Sequence, residues 1–129
     1  MREIKFRVYL GGSWFYWGFI DDEFRGLPST NREPLSIDEM RERSGQYTGL
    51  HDKNGKEIYE GDIVEGNLIK YSPLPIMGEV VWDNELSGFA SKNNAGNTLL
   101  FEIDQIRIIG DKFQNPELLT HGPEGLKGG

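Results

Sequence analysis

The residues that could carry acid–base chemistry in this 129-residue chain are two histidines and a scatter of carboxylates. His51 is followed directly by Asp52, and a carboxylate beside an imidazole can orient a general base. The chain has no cysteine to act as a nucleophile, and none of its serines stands in a nucleophile-elbow pattern. We therefore interpret His51 as an exposed turn residue, and we predict no catalytic residue and no enzymatic activity.

The same side chains do not predict a metal site. Zinc sites need about three or four suitable ligands, and His51 and His121 are far apart in sequence. The consecutive residues Asp21, Asp22 and Glu23 lack the alternating oxygen-ligand spacing of a calcium loop. The glycines at 11 and 12 precede a predicted strand, whereas phosphate-binding loops precede a helix. No metal and no cofactor is predicted.

Two other functions stay open. Gly61, Asp62, Ile63 and Val64, followed by residues 78–81, resemble the opening of SH3-like barrels, some of which bind RNA. The simpler interpretation is that Gly61 makes a turn, that Asp62 caps it, and that Ile63 and Val64 enter the core. The second alternative is a hydrolase that uses carboxylates such as Asp62 or Asp83.

An aromatic run at residues 14–20 is the most distinctive candidate for a contact surface. Trp14, Tyr16 and Trp17 are the candidate partner-binding residues, because tryptophan and tyrosine dominate binding hot spots. Aromatic residues in strands also pack against their cross-strand neighbours. The run is predicted to be a strand, so its side chains can be divided between two faces.

Composition limits the kind of partner and the compartment. The net charge is −7, which disfavours nucleic-acid binding, since a basic surface is what phosphate contacts require. No apolar run approaches the ~18 residues of a membrane span, and the charged residues at the N-terminus do not fit a signal peptide. We expect a cytoplasmic protein that binds a protein partner and no membrane, with homo-oligomerisation left open.

The elements that would position these residues are mostly short strands. Glycine and asparagine turns separate short apolar stretches, which predicts an all-β fold with one or two short helices. Ile4, Phe6 and Val8 alternate with polar residues as in a half-buried strand, which turns at Gly11–Ser13 into the aromatic strand. Residues 21–34 are predicted to be a long loop.

A capping box predicts one helix. Ser36 and Glu39 have the spacing at which each side chain accepts a hydrogen bond from the other residue's backbone N–H, and Gly45 would end a helix over residues 37–44. Later strands are predicted at residues 68–71, 79–83 and 89–91, with Pro73 and Pro75 excluding a ladder between the first two. A further strand is predicted at 99–103, continuing through 106–109 after a bulge.

Residues 46–64 are dense in turn signals. Tyr47 and Tyr59 flank a predicted hairpin whose Asn54-Gly55 pair suits a turn with positive φ at both positions, so the two tyrosines are expected to be cross-strand neighbours. A second turn is predicted at residues 60–62. Asn115 and Pro116 predict one turn of helix near the C-terminus.

Three segments together, at residues 2–7, 46–64 and 115–119, resemble the YopX family, which is known mainly from phages and prophages of Gram-positive bacteria. The resemblance implies a compact β-rich fold with a small, barrel-like or SH3-like mixed sheet, and a host bacterial cytoplasm. It implies no established activity and no catalytic residues. It implies structural roles for eight motif residues: Tyr47, Gly49, Asp52, Asn54, Gly55, Tyr59, Gly61 and Asp62.

We therefore predict one domain over residues 1–119 and a glycine-rich tail over 120–129. The predicted function is that of a phage or prophage accessory protein that binds a host or phage protein and has no catalytic role.

Overall fold

The computed structural model describes residues 3–26, 36–68 and 75–121, and it contains two five-stranded sheets. Every strand pairing in these residues is antiparallel, so the all-β prediction is confirmed and the predicted mixed sheet is refined to two antiparallel ones. Two short helices accompany the sheets. No helix in the described residues is long and apolar enough to cross a membrane.

The first sheet is built mainly from the N-terminal half of the chain. Its elements in sequence are β1 (Lys5–Leu10), β2 (Ser13–Ile20), β3 (Glu23–Arg25), α1 (Ile37–Arg43), β4 (Ser44–His51) and β5 (Glu57–Tyr59), and its strand order is β3-β2-β1-β4-β5. The predicted β1–β2 hairpin is confirmed, with the two turn glycines Gly11 and Gly12 at positive φ.

The second sheet follows directly. It contains β6 (Asp62–Leu68), β7 (Pro75–Asp83), β8 (Gly88–Asn93), β9 (Gly96–Leu99) and β10 (Ile103–Asp111) in the order β10-β6-β7-β8-β9. A 3-10 helix (Leu100–Glu102) links β9 to β10, and α2 (Glu117–His121) follows β10. The bulge predicted in the last strand is present between Asp104 and Arg107, where Gln105 has a φ of 55°.

The main core lies where β5 meets the second sheet. Its buried members come from β5, β6, β7, the 3-10 helix and β10: Ile58, Val64, Val80, Leu100 and Ile103. A smaller cluster of Ile63 and Met77 is covered by Ile109 and by Leu118 and Leu119 of α2. Thus α2 closes one face of the second sheet and the main core closes the other.

The helix prediction holds at its start and fails at its end. Both hydrogen bonds of the Ser36–Glu39 capping box are present. The helix ends at Arg43, and Gly45 lies inside β4, where an added Cβ would stand 2.3 Å from the Glu60 carbonyl oxygen. Glycine is needed at position 45 for this close approach of two backbones, and the prediction of a helix stop there was wrong.

Three other local predictions need correction. The predicted loop after β2 contains β3, and residues 27–34 of that loop lie outside the described residues. Pro75 does not exclude a ladder, because it opens β7 opposite Asn67 of β6; residues 69–71 of the predicted strand are not described. Leu99, Phe101 and Ile103 do not share one strand, since the 3-10 helix separates β9 from β10.

Candidate interaction surface

The charged side of β1 is buried. The sequence alternation predicts a half-buried strand, yet the Lys5 and Arg7 residues are only 8% and 7% exposed. The Arg7 guanidinium carbon lies 3.9 Å from the centre of the Trp14 ring and 4.6 Å from that of Tyr59. Two aromatic rings therefore replace water around this cation, which is a favourable setting for cation–π attraction.

Asp62 supplies the counter-charge. Its Oδ1 accepts a hydrogen bond of 2.5 Å from Arg7 Nη2, and its Oδ2 accepts one of 2.8 Å from the Tyr59 backbone N–H. Burial raises the pKa of the Asp62 carboxyl, while the charge of Arg7 opposes that rise. Arg7 Nε has no hydrogen-bond partner in the described residues, so the ion pair is enclosed without being fully satisfied.

A second ionic contact lies two residues away along β1. Lys5 Nζ donates a hydrogen bond of 2.7 Å to Glu57 Oε2, and the Tyr59 hydroxyl donates one of 3.1 Å to Glu57 Oε1. Burial by itself lowers the pKa of Lys5, but Glu57 and Glu3 together outweigh it and leave that pKa raised. Burial, with the nearby charge of Glu57, raises the pKa of Tyr59. The Lys5 ammonium also stands 4.9 Å from the centre of the Tyr47 ring.

The three candidate binding residues of β2 divide between the two faces of the sheet. Trp14 and Tyr16 lie on the side of Arg7, where Tyr16 is in edge contact with Tyr59 at 5.9 Å between ring centres. Trp17 lies on the other side, stacked on Phe6 at 4.3 Å, and its Nε1 donates a hydrogen bond to Ser44. Trp14 and Trp17 are half-buried packing residues, whereas Tyr16 is exposed.

The face that carries Trp17 has the larger exposed surface. Phe19 is 52% exposed and its cross-strand partner Phe24 is 65% exposed, with 5.6 Å between their ring centres. Ile4 is 47% exposed, and its carbonyl accepts a hydrogen bond from the Phe19 N–H. We call the side chains of Ile4, Phe6, Trp17, Phe19 and Phe24 the apolar face. Exposed apolar groups gathered in this way mark interaction sites in soluble proteins.

Sequence reasoning missed Phe24 because the charged residues around it, Asp21, Asp22, Glu23 and Arg25, led to the prediction of a loop there. Phe19 was inside the predicted strand, and its alternation with Trp17 was the available signal that both share a face. The burial of Arg7 had no local signal at all, since its counter-ion is 55 residues away in the sequence.

Most of the motif at residues 46–64 has a visible structural role. Tyr47 and Tyr59 are cross-strand partners, as predicted, with ring centres 5.4 Å apart. Gly49 and Gly61 have φ values of 83° and 91°. Gly61 makes the predicted turn, and Asp62 accepts the N–H that caps it, which leaves Ile63 and Val64 fully buried.

Asp52 organises the hairpin turn and joins it to the second sheet. Its Oδ1 accepts from the backbone N–H groups of Asn54 and Lys56 at 2.9 Å each, and its Oδ2 accepts from that of Ile108 at 3.1 Å. Burial raises the pKa of Asp52, but these three donors outweigh it and lower the pKa overall. Gly55 has a φ of 82°, whereas Asn54 is not at positive φ, so only one of the two predicted positive values is found.

The remaining candidate residues lie apart. Asp83 is at the β7–β8 hairpin, where it accepts from Leu86 N and from Asn97 Nδ2, so it shares no hydrogen-bond partner with Asp62. His51 is exposed at the end of β4, within 6.0 Å of the Tyr47 ring. Among residues 3–26, 36–68 and 75–121 there is no cluster of three or more His, Asp or Glu side chains placed to hold a metal ion.

Comparison with known proteins assigns the chain to a family. No curated protein matches it. The profile of one family, described as YopX protein, matches residues 20–120, which is more than three quarters of the chain. The match includes the whole of the turn-dense segment at 46–64 and ends within α2. This chain belongs to the YopX protein family.

Proposed function

We propose that this protein is a phage or prophage accessory protein that acts in the cytoplasm of the host by binding a protein partner, and that it has no catalytic role. The apolar face is the contact surface. The observation that carries the proposal is the exposure of Phe19 and Phe24, which form a cross-strand pair at one end of the first sheet. Burying an aromatic side chain in an interface is strongly favourable, and aromatic anchors dominate binding energies.

The apolar face has a firm base for such a contact. Its half-buried members Phe6 and Trp17 are stacked on each other, and the Trp17 indole is held by its hydrogen bond to Ser44. A surface that is already ordered loses little conformational entropy on binding. On the opposite face of β1, the ionic contacts of Arg7 and Lys5 hold in place the strand that carries Phe6.

The hydrogen bonds of the carboxylates favour binding over hydrolysis. Asp62 and Asp83 each stabilise a turn, and Asp62 is also the counter-ion of a buried arginine. A catalytic carboxylate must be able to reach a substrate or water. Cleavage of a nucleic-acid or ester substrate that Asp83→Asn or Asp62→Asn abolishes in a folded variant would contradict the proposal.

The test is a quantitative pull-down from host lysate with the tagged wild type and the double variant Phe19→Ser/Phe24→Ser. The matched control is Phe101→Ser. Phe101 is 70% exposed, but it lies in the 3-10 helix that links β9 to β10 of the second sheet. Each hot-spot truncation costs on the order of 2 kcal/mol, so we expect the double variant to lose the captured protein at least thirtyfold. Phe101→Ser should retain it.

The captured protein is then purified and titrated against the same three proteins. Equal affinity for wild type and for a folded double variant, or an equal loss with Phe101→Ser, would rule out the apolar face as the contact surface. A parallel titration with labelled RNA and DNA at low salt tests the nucleic-acid alternative, which requires binding that weakens as salt rises.

A further inference from the structure

A second surface feature lies at the junction between the two sheets. Where the chain passes from β5 to β6, it leaves a groove of about 260 Å³ between the start of β4 and the end of β7. Its chemistry comes from six side chains, which we call the acidic groove: Glu42, Glu60, Glu79, Trp82, Lys112 and Phe113. The remaining lining is formed by small or apolar residues of β4 and β7 and by Gly61.

The groove carries three carboxylates against one ammonium. Glu60 accepts a hydrogen bond from the Gln46 N–H, and Glu79 lies 4.0 Å from Lys112 Nζ. Glu42 is exposed and has no ion-pair partner in the part of the chain that the structure describes. The groove therefore has an excess of negative charge, in line with the net charge of the whole chain.

Trp82 forms the aromatic wall of the groove and is 48% exposed. Its Nε1 donates a hydrogen bond of 2.7 Å to Asn84 Oδ1, and Phe89 meets it edge-on at 5.1 Å between ring centres. The indole is thus fixed in orientation while half of it faces solvent. Large, fixed aromatic rings that remain exposed are favourable sites for a cation.

One cation already uses this chemistry inside the groove. Lys112 Nζ stands 5.2 Å from the centre of the Phe113 ring and 4.0 Å from the Glu79 carboxylate. The cations of Lys5 and Arg7 lie over other rings of the protein. Among the described residues, the Trp82 ring has no such cation over it.

We propose that the acidic groove binds an arginine side chain from a basic segment of a protein partner, with the guanidinium over the Trp82 ring and beside the groove carboxylates. Arginine fits better than lysine because its planar guanidinium stacks on an aromatic face. The volume suits a single side chain and is below the roughly 300–1,000 Å³ of small-molecule sites. This surface is separate from the apolar face, so the inference goes beyond the proposed function.

The test is fluorescence polarisation with a labelled peptide of six arginines and, as its neutral counterpart, the same peptide made of citrulline. We expect the arginine peptide to bind, the citrulline peptide to bind at least tenfold more weakly, and the affinity for arginine to fall with salt. Trp82→Ala should weaken binding about tenfold, whereas Trp82→Phe, which retains a ring, should lose less than about threefold. Urea unfolding midpoints establish that both variants are folded.

A charge-matched pair separates the groove from the overall negative charge. Glu42→Gln/Glu79→Gln removes two carboxylates of the groove, and Asp22→Asn/Asp104→Asn removes two exposed carboxylates elsewhere. We expect about tenfold weaker binding for the first pair and less than about threefold for the second. Equal losses in the two pairs, unchanged binding by Trp82→Ala, or no binding of the arginine peptide to wild type would each overturn the inference. None of these results depends on capture of a partner by the apolar face.

Discussion

Replacing Asp62 with asparagine should expose how much the fold depends on its buried ion pair. The Asp62 side chain is 3% exposed and that of Arg7 is 8% exposed, so neither charge is solvated by water. Asparagine keeps an oxygen that can accept the Tyr59 N–H, but it presents an uncharged amide to the guanidinium. Arg7 would then be a buried cation without a counter-ion, in addition to its unsatisfied Nε.

The cost can be placed within the known range for such a change. Removing one partner of a buried ion pair destabilises a protein by about 3–5 kcal/mol. The rings of Trp14 and Tyr59 remain over the guanidinium, and such contacts contribute about 0.5–2 kcal/mol each, so we expect the lower end, about 3 kcal/mol. For a 129-residue chain with an unfolding entropy of about 2.1 cal/mol/K per residue, that corresponds to a melting temperature lower by about 11 °C.

The assay is urea unfolding followed by tryptophan fluorescence, with calorimetry for the melting temperature. Arg7→Met, Asp62→Asn and the double variant complete a double-mutant cycle. We expect the stability loss of the double variant to be at least ~2 kcal/mol smaller than the sum of the losses of the two single variants. Asp83→Asn is the control, because that carboxylate is only half-buried at a hairpin and forms no ion pair within the described residues. A loss below ~1 kcal/mol for Asp62→Asn, or strict additivity in the cycle, would refute the reasoning.

Three further outcomes concern stability. The pKa of Asp52 is lowered in the folded state, so its ionised form stabilises the fold at pH values above the unfolded-state pKa of about 3.9. This stabilisation is lost as the pH falls through the lower folded-state pKa. The urea midpoint of the wild type should therefore fall more steeply than that of Asp52→Asn between about pH 5 and pH 2. Gly45→Ala should destabilise by about 1–3 kcal/mol. Gly26→Ala, where no atom of the described residues lies within 4 Å of the added Cβ, should stay within ~0.5 kcal/mol in the same urea assay. Ser91→Ala should be neutral or stabilising by up to ~1 kcal/mol, because the fully buried hydroxyl has no hydrogen-bond partner among the described residues, and a lower urea midpoint would contradict this.

Local signals in the sequence predicted the parts of the fold that depend on near neighbours. The Gly11-Gly12 hairpin, the Ser36 capping box and the bulge at Gln105 are each decided within a few residues, and all three are present. The β-rich class followed from the spacing of such turns. Predictions failed where a residue type has more than one structural role. Gly45 was predicted to end a helix but is required by the close approach of two strands, and Pro75 was predicted to break a ladder but begins a strand.

The candidate surfaces were less predictable because they depend on which distant residues meet. The aromatic density of β2 was visible in the sequence, but its division into a side that packs on Arg7 and a side that joins Phe24 required the strand register. The acidic groove is formed by four separate segments, and no pattern in the sequence predicts that Glu42 and Trp82 line the same groove.

Within the described residues, the two side-chain hydrogen bonds with the largest sequence separation have a consequence for how the chain acquires its structure. Arg7 meets Asp62 across 55 residues, and the Asp52 carboxylate meets the backbone of Ile108 across 56. Closing a loop of this length costs conformational entropy before the contact contributes any stability. The folding time should therefore lie in the slow range of all-β topologies, roughly milliseconds to seconds. A fragment that ends before Asp62 lacks the counter-ion of Arg7, and one that ends before Ile108 lacks the strand on which the Asp52 turn rests. During synthesis, we therefore expect the first sheet to become stable only after the second sheet has left the ribosome. The two sheets should then form in a single cooperative step.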